Sequence, residues 1–553
     1  MFVKFVTLTV LVLLSAPAGR APVALAAGNQ DAPPMAVPPA TSLVSDEIAA
    51  VRDRLRLTPA ESRDLIEIYA QRAQGPIWVT ADGRTGSEVA SAIALLNDAA
   101  NDGLVAADYD AAALASAAAA PVPLPAQEAA RLDVHLTASM LRYFRHLHHG
   151  RVDPRSIGVQ IAPQAESHHF ADILLDAVAH GRVREAVDGL RPGLTQYQLL
   201  RWELPRYRAM PATTPRTPLP DVLRPGDTFD DMAWLEGLLV RLGDLPAPSP
   251  VTPMTYDDTI RAGIEHFQRR HGLEPDGIIG RGTRDALLVP PSSRARQIEL
   301  AMERLRWLPD LAGGRVIAVN IPMFRLWAWD AGGLGAPPAV SMAVIVGRAR
   351  RTETPQFTAT MTQVIFRPYW NVPASILRDE VLPAVRRNPR YLVSQQMEIV
   401  SGPGDDARVV PQDEAALAAL AAGTLRVRQR PGSHNALGLV KFDFPNRDSV
   451  FMHGTPAPAL FARDRRDFSH GCIRVADPPG LAAWALGGAR GWTPARIAAA
   501  MTAETSAPAP VGAPIDVVLF YLTAMVGPDD GLVYFADDIY GLDARLTAAL
   551  ARR

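Results

Sequence analysis

Two clusters of proline cut this chain into parts that must fold separately. Pro211, Pro215, Pro218, Pro220 and Pro225 form the first, and Pro290-Pro291 the second. Each proline fixes its own φ and withholds an amide donor, so neither a helix nor a central strand runs through such a cluster. With 553 residues, about three or four domains are expected at roughly 150 residues each. Hydrophobic residues make up 48% and charged residues 21%, which allows large cores and argues against wholesale disorder. Lys+Arg total 56 against 58 Asp+Glu, and that near-balance argues against a general nucleic-acid binder. A single cysteine, Cys472, rules out an internal disulfide.

The first residues have the layout of an export signal. Lys4 precedes an apolar run from Phe5 to Leu14, and Ala24-Leu25-Ala26 offers a cleavage site before Ala27. The run is short for a membrane span of about 20 residues, and no later segment is long and apolar enough. No cysteine stands near the cleavage site to take a lipid. The expectation is a signal peptide at 1–26, a flexible lead at 27–44, and a mature protein in an oxidising compartment. A lone cysteine there has no structural partner, so it needs another reason to exist.

Helical spacing dominates 45–207; Leu132, His135, Leu136, Ser139 and Tyr143 share a face that Gly150 ends. His146, His148 and His149 cluster at that end, where the helix dipole favours histidine. A proline-rich linker is read at 208–222. In the next unit, 223–290, apolar faces predict two helices (Leu235, Leu238, Leu239, Leu242; then Ile260, Ile264, Phe267). Asp276-Gly277 reads as a turn with positive φ, and Thr283 as a helix N-cap. From 297 to 547 a helix over Ser293–Trp307 leads into runs rich in Val, Ile, Phe and Trp, bounded by Gly, Pro and Asp. These strands do not alternate regularly with helices, which favours a mixed or antiparallel sheet over a doubly wound one. Few strand signals fall between about 376 and 432, where Leu377–Leu392 and Asp413–Ala422 read as helices.

The densest chemistry lies in Phe451-Met452-His453-Gly454 and Ser469-His470-Gly471-Cys472-Ile473-Arg474. A cysteine nucleophile needs a base and donors for a developing oxyanion. Cys472 supplies the sulfur, and His453, nineteen positions upstream, ends a predicted strand. His470 and Arg474 add positive character expected to lower the thiol pKa. Gly471 lets the backbone approach a substrate carbonyl. A zinc site built from His453, His470, Cys472 and His434 is the competing reading; the sequence favours the nucleophile, with no metal and no cofactor.

The catalytic segment resembles the L,D-transpeptidase family with the YkuD-type catalytic domain, whose signature is met at His453, Gly454, Ser469, Gly471, Cys472 and Arg474. "MERLRWLP" at 302–309, "NIP" at 320–322, "RPYWNVPASI" at 367–376, "RQRPGSHNALGLVKFDFPN" at 428–446 and "DIYGLD" at 538–543 resemble its large periplasmic YcbB-like branch. "PIWV" at 76–79, "NDGLVAADY" at 101–109 and "GRVDP" at 150–154 resemble that branch's scaffold domain, and "FQRRHGLEPDGIIGRGT" the three-helix peptidoglycan-binding family. The resemblance implies an α+β multidomain chain: a helical scaffold domain, a small three-helix peptidoglycan-binding domain, and a mixed β-sheet catalytic domain with a helical cap insertion.

It also implies a chemistry. Cys472 attacks a peptidoglycan stem at its third residue, releases the terminal D-Ala, and hands the acyl group to a second stem as a 3→3 cross-link. Water as acceptor makes the same site an L,D-carboxypeptidase, and a non-catalytic wall-binding scaffold is a third reading. By the resemblance His453 is the base, oriented by the Gly454 carbonyl. Gly471, His470, Ser469, Arg474, Phe451, Trp370 and Asn371 line the oxyanion and substrate region; Phe451 stands where the family often has Tyr. The implied partners are peptidoglycan stems and glycan, together with other wall synthases. No nucleic acid and no membrane span remain after signal cleavage. The implied location is the periplasm of a Gram-negative-type envelope.

Overall fold

The structure is a computed structural model that describes residues 39–552 apart from 74, 162–167, 248–253, 312, 334–335, 488 and 490. The export signal expected at 1–26 lies outside the described residues. No described helix is long and apolar enough to cross a membrane.

The N-terminal part is helical. Its first helix runs Pro39–Leu55, so the expected lead at 27–44 gives way to helix at its end, and Val44 is already in the core. The 24-residue helix Ala126–His149 runs through the middle of this part, with Leu132, Leu136, Met140, Tyr143 and Leu147 buried. Its buried Asp133 carboxylate accepts the Tyr69 hydroxyl and the backbone N–H groups of Ile77, Trp78 and Val79. That cluster of donors is why the PIWV segment has one conformation, since a buried carboxylate without such partners would be costly. Gly150 then stops the helix at φ 82°. A Cβ there would sit 2.7 Å from Glu303 Oε1, so both conformation and space call for glycine.

Helices Met232–Leu242, Asp258–Arg270 and Arg281–Leu287 make up the next unit. Gln268 is its hub: the side-chain amide donates to Asp276 Oδ1, the Ile278 carbonyl and Thr283 Oγ1, and its oxygen accepts the Gly277 N–H. Thr283 is therefore a buried partner of Gln268 and not the expected N-cap, a position that Gly280 occupies. Asp276-Gly277 does form the turn, with Gly277 at φ 69°. Arg270 is buried against Asp244 and also donates to the Val533 carbonyl, which ties this unit to the C-terminal part.

The C-terminal part is built on a mixed sheet. Its strands are β1 (Arg315–Asn320), β2 (Arg325–Trp329), β3 (Val340–Gly347), β4 (Phe357–Phe366), β5 (Trp370–Asn371), β6 (Met397–Ser401), β7 (Arg408–Val410), β8 (Arg426–Gln429) and β9 (Val440–Asp443). Then come β10 (Met452–His453), β11 (Asp467–Ser469), β12 (Ile473–Val475), β13 (Ala507–Phe520), β14 (Ala524–Val526) and β15 (Val533–Phe535). Nine of them form one sheet, ordered β11-β3-β12-β10-β9-β4-β13-β1-β2, and a further β2–β3 pairing closes it into a ring. The ring takes in the eight strands from β3 to β2 and removes their exposed edges, leaving β11 outside it, paired to β3 alone. The interior holds Val319, Leu326, Val344, Phe442, Met452 and Ile473 among others, all close-packed.

Between β4 and β9 lies an insertion with its own core of Ile376, Leu377, Val381, Leu392, Ile399 and Val427. It carries a four-stranded antiparallel sheet, β5-β8-β6-β7, so it is not the purely helical cap expected from its sequence. Val427 is buried between Arg426 and Arg428, whose guanidiniums bond backbone carbonyls at its rim. Alternating arginines read as surface in sequence, and that hides the strand.

Candidate active site

β10 and β12 lie side by side and parallel, with Met452 opposite Ile473 and His453 opposite Arg474. The strand period of two does the rest. Met452, Ile473 and Val475 point into the ring and are fully buried. Phe451, His453, Cys472 and Arg474 therefore alternate onto the other face, with Cys472 diagonal to His453. The Ile473 N–H donates to the Phe451 carbonyl at 3.0 Å, which holds the cysteine end of β12 against β10.

The imidazole is fixed as one tautomer. His453 Nδ1 donates to the Gly454 carbonyl at 2.6 Å, so Nε2 is the bare nitrogen. Burial, then the nearby Arg474 charge, push its pKa down to about 3, against the pull of the Gly454 and Leu437 carbonyls. His453 is neutral at pH 7. The Phe451 ring lies 5.6 Å from the imidazole, and Lys441 Nζ, on the residue opposite His453 in β9, sits 4.5 Å from the centre of that ring.

Burial also acts on the thiol. It pushes the Cys472 pKa above its ordinary value, outweighing a Phe451 backbone contact and the charges of Lys441 and Arg474. The expectation of a lowered thiol pKa is thereby corrected: desolvation of the anion is the larger effect. The sulfur's hydrogen bond runs to the Ser449 carbonyl at 3.9 Å, a residue at φ 55° that sequence reading missed.

The cysteine loop is braced from below. Gly471 takes φ 111°, and its N–H goes to Ser469 Oγ at 3.1 Å. Ser469 Oγ in turn donates to the Cys472 carbonyl at 2.5 Å. The Gly471 amide is thus committed inside the loop, which corrects its expected part in an oxyanion hole. The Cys472 N–H makes no hydrogen bond among the described residues. Thr352 and Thr354, also unforeseen, donate to the Ser469 and Gly471 carbonyls at 2.9 and 2.8 Å.

His470 points to the insertion, where its Nε2 meets Glu380 Oε1 at 2.7 Å. Arg474 has no carboxylate partner among the described residues, and its Nε is buried without a hydrogen bond. Trp370 pairs with Gln429 and Asn371 with Arg428 in the insertion's sheet, and the Asn371 side-chain oxygen is held by Arg426. Both belong to the insertion's scaffolding. No group of three or more metal-ligating side chains is found among the described residues.

Three family descriptions match this chain: a scaffold domain at residues 63–204, a putative peptidoglycan binding domain at 229–287, and an L,D-transpeptidase catalytic domain of the YkuD type at 314–516. A curated relative, "Putative L,D-transpeptidase" of Haemophilus influenzae, is 32% identical over 266 residues, 48% of this chain. The match spans about half of that relative's length, 52%. The crystal structure of an L,D-transpeptidase from Xylanimonas cellulosilytica matches 55% of this chain and 100% of its own at 16% identity, with a TM-score of 0.17.

Proposed function

From a chain that carries a YkuD-type L,D-transpeptidase catalytic domain, a scaffold domain and a peptidoglycan-binding domain, we propose an exported peptidoglycan L,D-transpeptidase that forms 3→3 cross-links through a Cys472 thioester. The observation that supports this reading is that Cys472 directly precedes β12, which pairs in parallel with the strand ending at His453, with the imidazole held as the tautomer whose Nε2 accepts a proton.

His453 Nε2 takes the thiol proton, and the sulfur adds to the carbonyl carbon of the third stem residue. The Cys472 N–H is the donor available to the resulting oxyanion. Collapse breaks the bond to D-Ala, whose amine leaves with the proton from the imidazolium. A side-chain amine of a second stem then attacks the thioester and gives up a proton to His453. The new amide forms, and the sulfur leaves and is reprotonated. A neutral thiol beside a neutral imidazole suits this sequence, because the charged pair need exist only while substrate is present. The Gly454 carbonyl fills the role a carboxylate fills in other triads, orienting the ring and stabilising the imidazolium.

The insertion covers the cysteine loop at His470 and excludes water from the thioester, which favours an amine acceptor over hydrolysis. The unit at 223–290 is the wall-binding module and the helical part at 45–207 its scaffold. The site of action is the periplasm, where other wall synthases supply the glycan. Incubation with defined tetrapeptide stems and mass analysis tests the proposal. A cross-linked dimer with release of D-Ala is expected from the native chain and not from Cys472→Ala. Tripeptide without dimer would reassign the enzyme as a carboxypeptidase.

A further inference from the structure

Many of the buried and half-buried arginines of this fold are met by acids. Arg142 meets Glu61, Arg191 and Arg201 meet Asp102, Arg270 meets Asp244, and Arg428 meets Glu398. At the surface beside the cysteine loop, three exposed arginines gather round one open depression. It is shallow and open to solvent, and is lined by Arg350, Arg351, Glu353, Tyr540, Gly541 and Arg545. Among the described residues the three guanidiniums have no carboxylate or carbonyl partner, and the single acid, Glu353, accepts the Arg350 backbone N–H at 3.1 Å. Arg350 is held at φ 63°, in a region uncommon for a residue with a side chain. The helix Leu542–Leu550 that supplies Arg545 is not the source of positive potential, because Asp538 already accepts the N–H groups of Leu542 and Asp543. The arginines are.

The depression is mechanically continuous with the catalytic loop. Arg350 and Arg351 sit in the 348–354 turn, whose Arg348 N–H and Thr352 hydroxyl both donate to the Ser469 carbonyl, and whose Thr354 hydroxyl donates to that of Gly471. Tyr540, on the wall of the depression, donates to the Gly347 carbonyl at 2.6 Å and accepts the Thr354 N–H at 3.2 Å. A ligand seated on these arginines is therefore registered against Cys472 by a rigid set of hydrogen bonds. Guanidiniums suit carboxylates, which they bind through paired donors.

We propose that this depression is a recognition site for the carboxylates of an acidic peptide stem, reading a part of the substrate remote from the bond that reacts. The inference rests on the reading of Cys472 as acting on such stems. Binding there spends remote substrate charge on orientation at the sulfur.

The test measures binding of a defined free-acid tetrapeptide stem, and of the same stem with its carboxylates amidated, to full-length protein carrying Cys472→Ala. In that background Arg350→Gln/Arg351→Gln and Arg545→Gln are each expected to raise Kd for the free-acid stem about tenfold, the scale of one charge-assisted pair. The amidated stem is expected to bind all forms equally weakly. Thermal melting checks folding, and Arg350→Lys/Arg351→Lys, which keeps the charge, should recover at least half of the lost affinity. With Cys472 intact, alkylation by neutral iodoacetamide should stay within about twofold. An unchanged Kd for the free-acid stem in the glutamine variants overturns the inference and leaves the transpeptidase reading standing. Arginine-dependent stem binding in a native chain that yields neither dimer nor tripeptide upholds the site and removes that reading.

Discussion

His453 and Arg474 face each other across two parallel strands, and that register sets the diagonal between imidazole and sulfur. It also puts a guanidinium beside the imidazole, which helps keep the ring uncharged. His453→Gln is expected to keep the fold, because glutamine can still donate toward the Gly454 carbonyl. It should lower turnover by about 10²–10⁴-fold, the usual worth of a positioned base. Steady-state dimer formation with matched circular dichroism checks this; activity within tenfold of native would remove His453 as the base.

The thiol gives a second, sharper readout. Burial raises its pKa above the ordinary 9.0, and the neighbouring imidazole is neutral. Iodoacetamide alkylation of the free enzyme should therefore keep rising as pH increases through 9. A thiolate already paired with an imidazolium would instead react at a level rate from acidic pH upward. A plateau below pH 7 would show that the resting site holds the ion pair.

Stability should carry the same signature. The folded pKa of His453, about 3, lies below the unfolded 6.5, so the unfolded chain binds the extra proton between these values. Its contribution is complete above about pH 6.5 and is lost as pH falls toward 3, with a slope of about 1.4 kcal/mol per pH unit in between. Other histidines whose pKa desolvation lowers, such as His148 and His271, add slopes of the same sign. The quantity to measure is thus the difference in denaturation free energy between native and His453→Gln at pH 6 and pH 4. Parallel curves would contradict the assignment.

Much of this was legible from sequence for a simple reason. His453 ends β10 and Cys472 directly precedes the adjacent β12, close along the chain, so a local motif contains the site. β1, β2 and β3 are equally readable, because β-branched and aromatic residues fill both faces of strands packed on two sides. What stayed hidden depends on distant partners. Glu380 lies 90 positions from His470, and Thr283 reads as a cap until Gln268 is seen to hold it. β8 is masked by Arg426 and Arg428, which reach backbone carbonyls. The direction of the thiol shift was misread because nearby charges are visible in a sequence and desolvation is not.

The helical part and the start of the C-terminal part meet at one buried pair, Glu303 and Arg306. Glu303 Oε1 accepts the N–H groups of Arg151 and Val152, and its Oε2 meets Arg306. Arg306 also donates to the Asp102 carbonyl and to the Tyr197 hydroxyl. Glu303→Ala leaves a fully buried guanidinium short of its acid and two amides without an acceptor. A loss of about 3–5 kcal/mol is expected, as for other broken buried pairs, read as a lower urea midpoint. A shift under about 1 kcal/mol would mean that the interface relaxes around the gap.

Glu380 and His470 join the insertion to the cysteine loop through one contact of 2.7 Å between half-exposed groups. A pair of that exposure contributes at most about 1 kcal/mol, so it can bias the insertion toward closure without locking it. Glu380 lies in a π-helical turn, Leu377–Val381, a local irregularity of the kind that often marks moving or functional segments. If closure is what keeps water from the thioester, loosening this contact should change what the acyl group meets and not how fast it forms. Glu380→Gln is accordingly expected to raise the ratio of tripeptide to dimer by about two- to fivefold, the range one such pair can shift an equilibrium. The rate of D-Ala release in the first turnover should hold steady. His470→Ala should do the same, and the double variant should add little, since both remove one interaction. High salt should mimic the variants in the native chain and have less effect on them. A product ratio that does not move in either single variant would dissociate this contact from the fate of the thioester.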